Sequence, residues 1–127
     1  MDGDADHDHA GTGAPVVVPV LPVRELDEAE ALHTALGLDV ERYDDGYAWV
    51  RFGQHEVWHL RVVEDLDPST NPSGIYLFLD DLEEVRRALV DLGLDPTPIE
   101  VTPWHMREMS VRDPSGNLIR MGCRVAS

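Results

Sequence analysis

The chain has 127 residues and a mass of 14.2 kDa, the size of one domain or of two small modules that share a core. Asp and Glu number 25 against ten basic residues, all of them Arg, which gives a formal net charge of −15. A surface of this charge repels polyanions, so nucleic acids and anionic membranes are not expected as partners, and a cationic partner is favoured.

Hydrophobic residues make up 43% of the chain, which is enough for a packed core. No run approaches the 18 apolar residues of a membrane span, and the acidic N-terminal region lacks the apolar segment of a signal peptide. The one cysteine, Cys123, forms neither an intramolecular disulfide nor a cysteine-built zinc site. We therefore expect a soluble cytoplasmic domain.

The first 14 residues carry no large aliphatic or aromatic side chain after Met1. They bury too little to offset the entropy of ordering, so the sequence predicts a disordered acidic tail over 1–14. His7 and His9 alternate with aspartates and could weakly chelate a metal ion, although an unstructured tail is the preferred interpretation.

The next 50 residues read as a strand, a helix and three further strands. Asp27 is the predicted cap of the helix and Gly37 its end, and Asp44-Asp45-Gly46 is a turn signal. A loop follows at 65–73. The predicted strands of this half are 16–22, 38–43, 47–52 and 57–63.

The same order then repeats. Asp80 or Asp81 is the predicted cap of a second helix that Gly93 closes, and 113–116 forms the last hairpin turn. The predicted strands of this half are 75–79, 99–102, 106–112 and 118–121.

Both predicted helices end in Leu-Gly-Leu-Asp, at 36–39 and at 92–95. This shared ending indicates an internal duplication. The predicted organisation is one domain over 15–123, with module one at 15–64, a loop at 65–73 and module two at 74–123.

A doubled βαβββ arrangement resembles the vicinal-oxygen-chelate superfamily of glyoxalases, extradiol dioxygenases and bleomycin resistance proteins. The segment Pro103-Trp-His-Met-Arg-Glu-Met109, followed by Arg112-Asp-Pro-Ser-Gly-Asn117, is similar to the PWG-x-RE-F and RDP-x-GN pattern of the bleomycin resistance branch. His105 replaces the usual Gly, and Met109 replaces the usual Phe. The resemblance implies an α+β fold in which two βαβββ modules form a mixed, curved sheet cleft, as a homodimer that exchanges its first strand.

Metal-dependent members of the superfamily take one ligand from the first strand and one from a late strand of each module. Matching the motifs puts Val18, Gly74 and Arg120 at three of these positions, and only the fourth, His59, retains a residue able to ligate. A catalytic divalent ion generally takes three or more protein ligands. We therefore expect no metal, no other cofactor and no enzymatic activity.

The resemblance then implies a binding cleft for a small molecule. Tyr47 follows paired acids, Asp44 and Asp45, where the resistance branch has an aromatic residue, and Trp104 stands in the Pro-Trp motif. Aromatic faces stack on flat rings and acidic groups attract cations. The predicted ligand-binding residues are Asp44, Asp45, Tyr47, Trp49, His59, Trp104 and Glu108.

The function that this resemblance implies is metal-free sequestration of a bleomycin-like, cationic and aromatic antibiotic, which would confer resistance. Two alternatives stay open at the level of sequence. One is a binding protein for an unrelated small molecule, and the other is a metal-dependent glyoxalase-type lyase or extradiol dioxygenase. Val18, Gly74 and Arg120 are the residues that discriminate between binding and metal-dependent catalysis.

Overall fold

The computed structural model describes residues 13–125, so most of the predicted tail, with His7 and His9, lies outside the described residues. The chain forms one βαβββ unit followed by a second, joined by a loop with a short 3-10 helix at Pro68–Thr70. The elements of the first unit are β1 (Val20–Val23), α1 (Leu26–Ala35), β2 (Asp39–Asp44), β3 (Tyr47–Phe52) and β4 (His55–Val62). Those of the second are β5 (Gly74–Phe78), α2 (Leu82–Asp91), β6 (Glu100–Val101), β7 (Met106–Arg112) and β8 (Leu118–Arg124).

Each unit forms its own four-stranded mixed sheet. The strand orders are β1-β4-β3-β2 and β5-β8-β7-β6, and in each sheet the first strand of the unit runs parallel to the last. The other pairs are antiparallel. The predicted α+β fold of two βαβββ modules is therefore confirmed. Here β1 pairs with β4 of its own chain, and the exchange of that strand between two chains stays a prediction.

The two helices end in the same way, as the repeated Leu-Gly-Leu-Asp predicts. Leu36 and Leu92 are the C-terminal caps, and the glycines after them, Gly37 and Gly93, have φ values of 85° and 86°. Glycine adopts this left-handed conformation without the steric cost that a side chain brings. The duplication thus extends to the backbone of the helix ends.

Several predicted boundaries differ from the structure. The first strand covers only Val20–Val23 rather than 16–22, and Pro19, which has no N–H to donate, lies just outside it. The cap of α1 is Glu25 rather than Asp27, which lies in the first turn, where an acidic side chain suits the helix dipole. The last strand continues to Arg124 because β7 pairs with it along its whole length.

The hydrophobic core lies between the helices and one face of each sheet. Alternate residues of β3 and β4 that point towards α1 are buried, among them Val50 and Leu60, whereas their neighbours along the strands point the other way. In the second sheet Ile119 and Met121 are buried in the same manner, and Leu82 and Leu89 of α2 belong to the same core cluster. Each sheet therefore keeps one face uncovered by its helix. In the described part of the chain, neither helix has the length and apolarity needed to cross a membrane.

A buried histidine joins α1 to β4. His33 is fully buried, and its Nδ1 lies 2.7 Å from the carbonyl oxygen of Ala29. The indole Nε1–H of Trp58 donates to Nε2 of His33 over 3.1 Å, so the imidazole is neutral with its proton on Nδ1. Burial lowers the pKa of His33. This pair holds β4 against the helix from the side opposite His59.

The Arg-Asp-Pro-Ser-Gly-Asn motif is a structural joint between the two modules. Asn117 donates through Nδ2 to the carbonyl oxygen of Pro22 over 2.8 Å, and Ser115 Oγ accepts from the backbone N–H of Arg24 over 2.8 Å. The carboxylate of Asp113 accepts from Ser115 N–H and Asn117 N–H inside the same loop. Burial raises the pKa of Asp113, and the hydrogen bonds that it accepts oppose this effect. The motif that carries much of the sequence resemblance thus fixes the end of β1.

Candidate functional site

The candidate site consists of the two sheet faces that the helices do not cover. Strand alternation places the side chains of Tyr43, Tyr47, Trp49 and His59 on the uncovered face of the first sheet, which we call the first open face. A register shift between β3 and β4 brings Glu56 to the same face, where it contacts His59. The second open face, on the second sheet, carries Tyr76, Phe78, Trp104, Glu108 and Arg120. Aromatic rings and charged groups thus lie together on both faces.

Three side chains of the first open face form a hydrogen-bonded chain. The hydroxyl of Tyr47 lies 2.7 Å from Nδ1 of His59, and Nε2 of His59 contacts the carboxylate of Glu56. The side chains of His59 and Glu56 are each 17% exposed, so the chain lies largely out of solvent. The rings of Tyr47 and His59 meet edge to face with their centroids 5.4 Å apart. This packing holds Tyr47 in one orientation.

Trp49 lies beside this chain, directly across the strand pair from His59. Its ring packs against Tyr43, with centroids 5.8 Å apart, and the guanidinium of Arg51 lies 5.8 Å from its centroid. Arg51 is held in turn by Glu41, whose carboxylate accepts from Nε over 2.9 Å. Tyr43 is 69% exposed, so this end of the face offers an aromatic surface to solvent.

The second open face is organised around Glu108. One oxygen of its carboxylate accepts from the hydroxyl of Tyr76 over 2.6 Å and from the indole N–H of Trp104 over 3.4 Å. Phe78 packs on Tyr76 with centroids 5.3 Å apart. Phe78 is 71% exposed and Trp104 is 62% exposed, which is unusual for rings of this size. Glu108 thus brings a carboxylate and two exposed aromatic surfaces together.

Gly122 makes room for Tyr76 on this face. A Cβ at position 122 would lie 2.1 Å from the Tyr76 hydroxyl oxygen, so any larger residue there would push the ring away from Glu108. The guanidinium of Arg120 lies 5.5 Å from the centroid of the Tyr76 ring. Desolvation, followed by the hydrogen bond to Glu108 and its charge, raises the pKa of Tyr76 to about 12. The Tyr76 hydroxyl is therefore a hydrogen-bond donor to Glu108 throughout the physiological pH range.

Asp44 and Asp45 lie at the turn between β2 and β3, at the rim of the first open face. Asp44 accepts from the backbone N–H of Gly46 over 2.8 Å and is the register partner of Tyr47. Both aspartates are exposed. Their position suits long-range attraction of a cation more than direct contact with a ligand deep on the face.

The predicted site residues separate into two groups. The structure brings Tyr47, Trp49 and His59 together on one face, and Trp104 and Glu108 on the other. Among the described residues, no hydrogen bond or ring contact joins the two faces.

Several residues of both faces were not predicted from the sequence. Tyr76 and Phe78 could have been found from the alternation Gly-Ile-Tyr-Leu-Phe, which puts both rings on one side of β5. Glu56 was missed because the predicted fourth strand begins at 57, whereas β4 begins at His55. Tyr43 stands at the end of its predicted strand, where the pattern does not indicate a face.

The residues at the superfamily's metal-ligand positions do not fit a divalent cation. A Cβ at Gly74 would lie 2.7 Å from the carbonyl oxygen of Leu118, so the backbone leaves no room for a ligating side chain there. Arg120 brings a positive charge, and Val18 has no donor atom. Residues 13–125 contain no group of three or more His, Cys, Asp or Glu side chains placed to hold a metal ion. His59 is instead engaged by Tyr47 and Glu56.

Solved structures share this fold at low sequence identity. A bleomycin resistance determinant encoded on the transposon Tn5 is 24% identical, with a TM-score of 0.72 over 87% of this chain and 98% of that one. The bleomycin-binding protein of the bleomycin producer Streptomyces verticillus, solved with copper(II)-bleomycin, is 22% identical, with a TM-score of 0.63 over 90% and 98%. The fosfomycin resistance protein FosX of Mesorhizobium loti is 17% identical, with a TM-score of 0.65 over 89% and 92%.

These likenesses confirm the predicted fold, which the chain shares with solved bleomycin-binding and fosfomycin resistance proteins. No protein-family model matches the chain, and no curated protein matches its sequence.

Proposed function

We propose that this protein binds a cationic, aromatic antibiotic of the bleomycin type without a metal and confers resistance by sequestering it. The observation that carries the proposal is the second open face, where Trp104 and Phe78 expose 62% and 71% of their surface beside the carboxylate of Glu108. Flat heteroaromatic rings stack on such surfaces, and a neighbouring carboxylate favours a ligand that carries positive charge. The shared fold with bleomycin-binding proteins supports the same ligand class.

The proposed active form is a homodimer in which a first open face of one chain lies across from a second open face of its partner. Each face alone is a shallow surface, whereas two opposed faces enclose a ligand from both sides and exclude water. The exposed rings of Tyr43 and Phe78 are the kind of apolar surface that a partner or a ligand covers. The proposed ligand therefore stacks between aromatic rings contributed by two subunits.

Electrostatics support a cationic ligand. The net charge of −15 attracts cations over the whole surface, and Asp44 and Asp45 add negative charge at the rim of the first open face. Attraction of this kind raises the rate of association and is screened by salt. An anionic antibiotic would approach against the same field.

Isothermal titration calorimetry with metal-free bleomycin tests the proposal. We expect saturable binding with one ligand per open-face pair, and a thermal shift that corresponds to about 2.7 kcal/mol of added stability when free ligand stands at 100 times its Kd. A neutral polar glycopeptide of similar mass serves as the control and is expected to bind weakly. No saturable heat with bleomycin or any other cationic glycopeptide antibiotic would contradict the proposal.

A further inference from the structure

The chain Glu56–His59–Tyr47 on the first open face has one consistent set of hydrogen-bond directions when the imidazole of His59 is neutral. An ionised carboxylate only accepts, so Nε2 of His59, in contact with Glu56, carries a proton. A neutral imidazole has one N–H and one bare nitrogen, so Nδ1 is then an acceptor. With His59 in this form, the Tyr47 hydroxyl, 2.7 Å from Nδ1, donates its proton inward to His59.

The oxygen of Tyr47 is left with lone pairs and no proton to offer outward. We propose, on the basis of the binding function above, that Glu56 acts through His59 as a positioning residue that makes Tyr47 an acceptor, so that this part of the site selects ligands presenting a hydrogen-bond donor such as an amine or amide N–H. We call the chain Glu56–His59–Tyr47 the relay. A tyrosine hydroxyl outside such a relay rotates to suit either a donor or an acceptor. The relay removes that choice.

On the second open face a carboxylate also takes up the proton of a tyrosine hydroxyl, but without a histidine between the two groups. The Tyr76 hydroxyl and the Trp104 N–H both donate to one oxygen of Glu108, so the donors on that face are also committed to a carboxylate. Arg61 is the register partner of Tyr47, and the guanidinium of Arg120 lies over the ring of Tyr76. These cations keep their own donors, so the selection that we infer is local to the phenol oxygens.

The protonation state of His59 tests the relay without any ligand. In a ¹⁵N-labelled wild-type protein at pH 8, long-range ¹H–¹⁵N correlation of the imidazole should show a protonated Nε2 and a bare Nδ1. Assignment comes from the loss of this signal in His59→Gln. A ring protonated on Nδ1, or on both nitrogens, would overturn the inference, because Tyr47 would then be free to donate outward.

Two variants test the direction of the relay. In Glu56→Gln the amide can offer Nε2 a donor as well as an acceptor, so a second form of His59 with its proton on Nδ1 should appear. In Tyr47→Phe the pattern of His59 should stay that of the wild type, because Glu56 alone sets it. An unchanged spectrum in Glu56→Gln would show that Glu56 does not fix the imidazole and would refute the relay.

Calorimetry with metal-free bleomycin then tests selection. Tyr47→Phe keeps the ring and removes the acceptor, so the Kd should rise by about 2- to 10-fold, the worth of one hydrogen bond. Thr34→Ala is the control, because it removes a hydroxyl from an exposed position of α1, away from both open faces, and its Kd should equal that of the wild type.

Equal affinities of the two variants would refute the role of the Tyr47 oxygen. If the wild type does not bind bleomycin at all, the proposed function fails, and the relay is judged by the protonation pattern of His59.

Discussion

Acid should destabilise this protein through His33, the buried histidine that joins α1 to β4. The folded protein holds the ring neutral, because Nε2 accepts from Trp58 and a second proton would set two N–H groups against each other. Its pKa is therefore lower in the folded chain than in the unfolded one, where it has the ordinary value of 6.5. The contribution of His33 to the free energy of unfolding is complete above pH 6.5 and is lost as the pH falls below that value towards the folded pKa.

The size of the effect follows from linkage. Below pH 6.5 the unfolded chain binds a proton at His33 that the folded chain does not bind. The free energy of unfolding then falls by at most about 1.4 kcal/mol per pH unit. Between pH 7.5 and 5.5 the free energy of unfolding loses at most about 1.4 kcal/mol through His33, the limit in which the folded ring takes up no proton over this range. A loss of this size is a considerable fraction of the 5–15 kcal/mol typical of a domain.

Urea unfolding followed by tryptophan fluorescence at several pH values, at one fixed protein concentration, measures the effect. The control is His33→Gln, which offers Trp58 a carbonyl acceptor without a titratable ring. The acidic residues and the exposed histidines titrate alike in both proteins, so the difference between them isolates His33. That difference should shrink between pH 7.5 and 5.5, by up to about 1.4 kcal/mol. A difference that stays constant over this range would refute the neutral, acceptor role of His33.

The other predictions concern the ligand, the metal and the assembly. Trp104→Ala should weaken bleomycin binding by about 1–3 kcal/mol through faster dissociation, seen by surface plasmon resonance, with an unchanged salt dependence. Changing Asp44 and Asp45 together to Asn should instead slow association and flatten its dependence on ionic strength, because screening acts over a Debye length of about 8–10 Å. EDTA should leave the melting temperature unchanged, whereas elemental analysis that finds one tightly bound ion per chain, in protein lacking His7 and His9, would contradict the metal-free function. Sedimentation at micromolar concentration should give about twice 14.2 kDa, and a monomer would exclude a cleft shared between subunits.

The fold could be predicted from the sequence because its signals are local. Alternating apolar residues set the strands, and the repeated Leu-Gly-Leu-Asp marks both helix ends at the same place in each module. Asp81 caps α2 as predicted, through a 3.0 Å hydrogen bond from the N–H of Glu84. By contrast, Glu25 caps α1 without a side-chain hydrogen bond. The start of this helix therefore has no capping residue that could be recognised in the sequence.

The candidate site was predicted only in part, because it depends on contacts between strands. Alternation puts Tyr47 and Trp49 on one face without saying which. In the structure Ala48 and Val50 are fully buried in the core, which leaves Tyr47 and Trp49 on the open face. The contact of Glu56 with His59 depends on a shift of register between β3 and β4 that no periodicity indicates. Tyr76 and Glu108 are 32 residues apart in sequence, so no local pattern indicates their hydrogen bond. The space for the Tyr76 ring comes from Gly122, and a glycine in a strand does not by itself indicate such a contact.

The joint formed by the Arg-Asp-Pro-Ser-Gly-Asn motif bears on the order in which the chain assembles during synthesis. Pro22 and Arg24 leave the ribosome early, but the groups that secure them, on Asn117 and Ser115, follow 95 and 91 residues later. Until then the Pro22 carbonyl and the Arg24 N–H lack the hydrogen-bond partners that they have in the folded chain. Contacts between residues so far apart in sequence are slow to form. A nascent chain halted before the last hairpin is therefore expected to pair β1 with β4, while the outer edge of β1 remains open to a neighbouring chain on the same polysome.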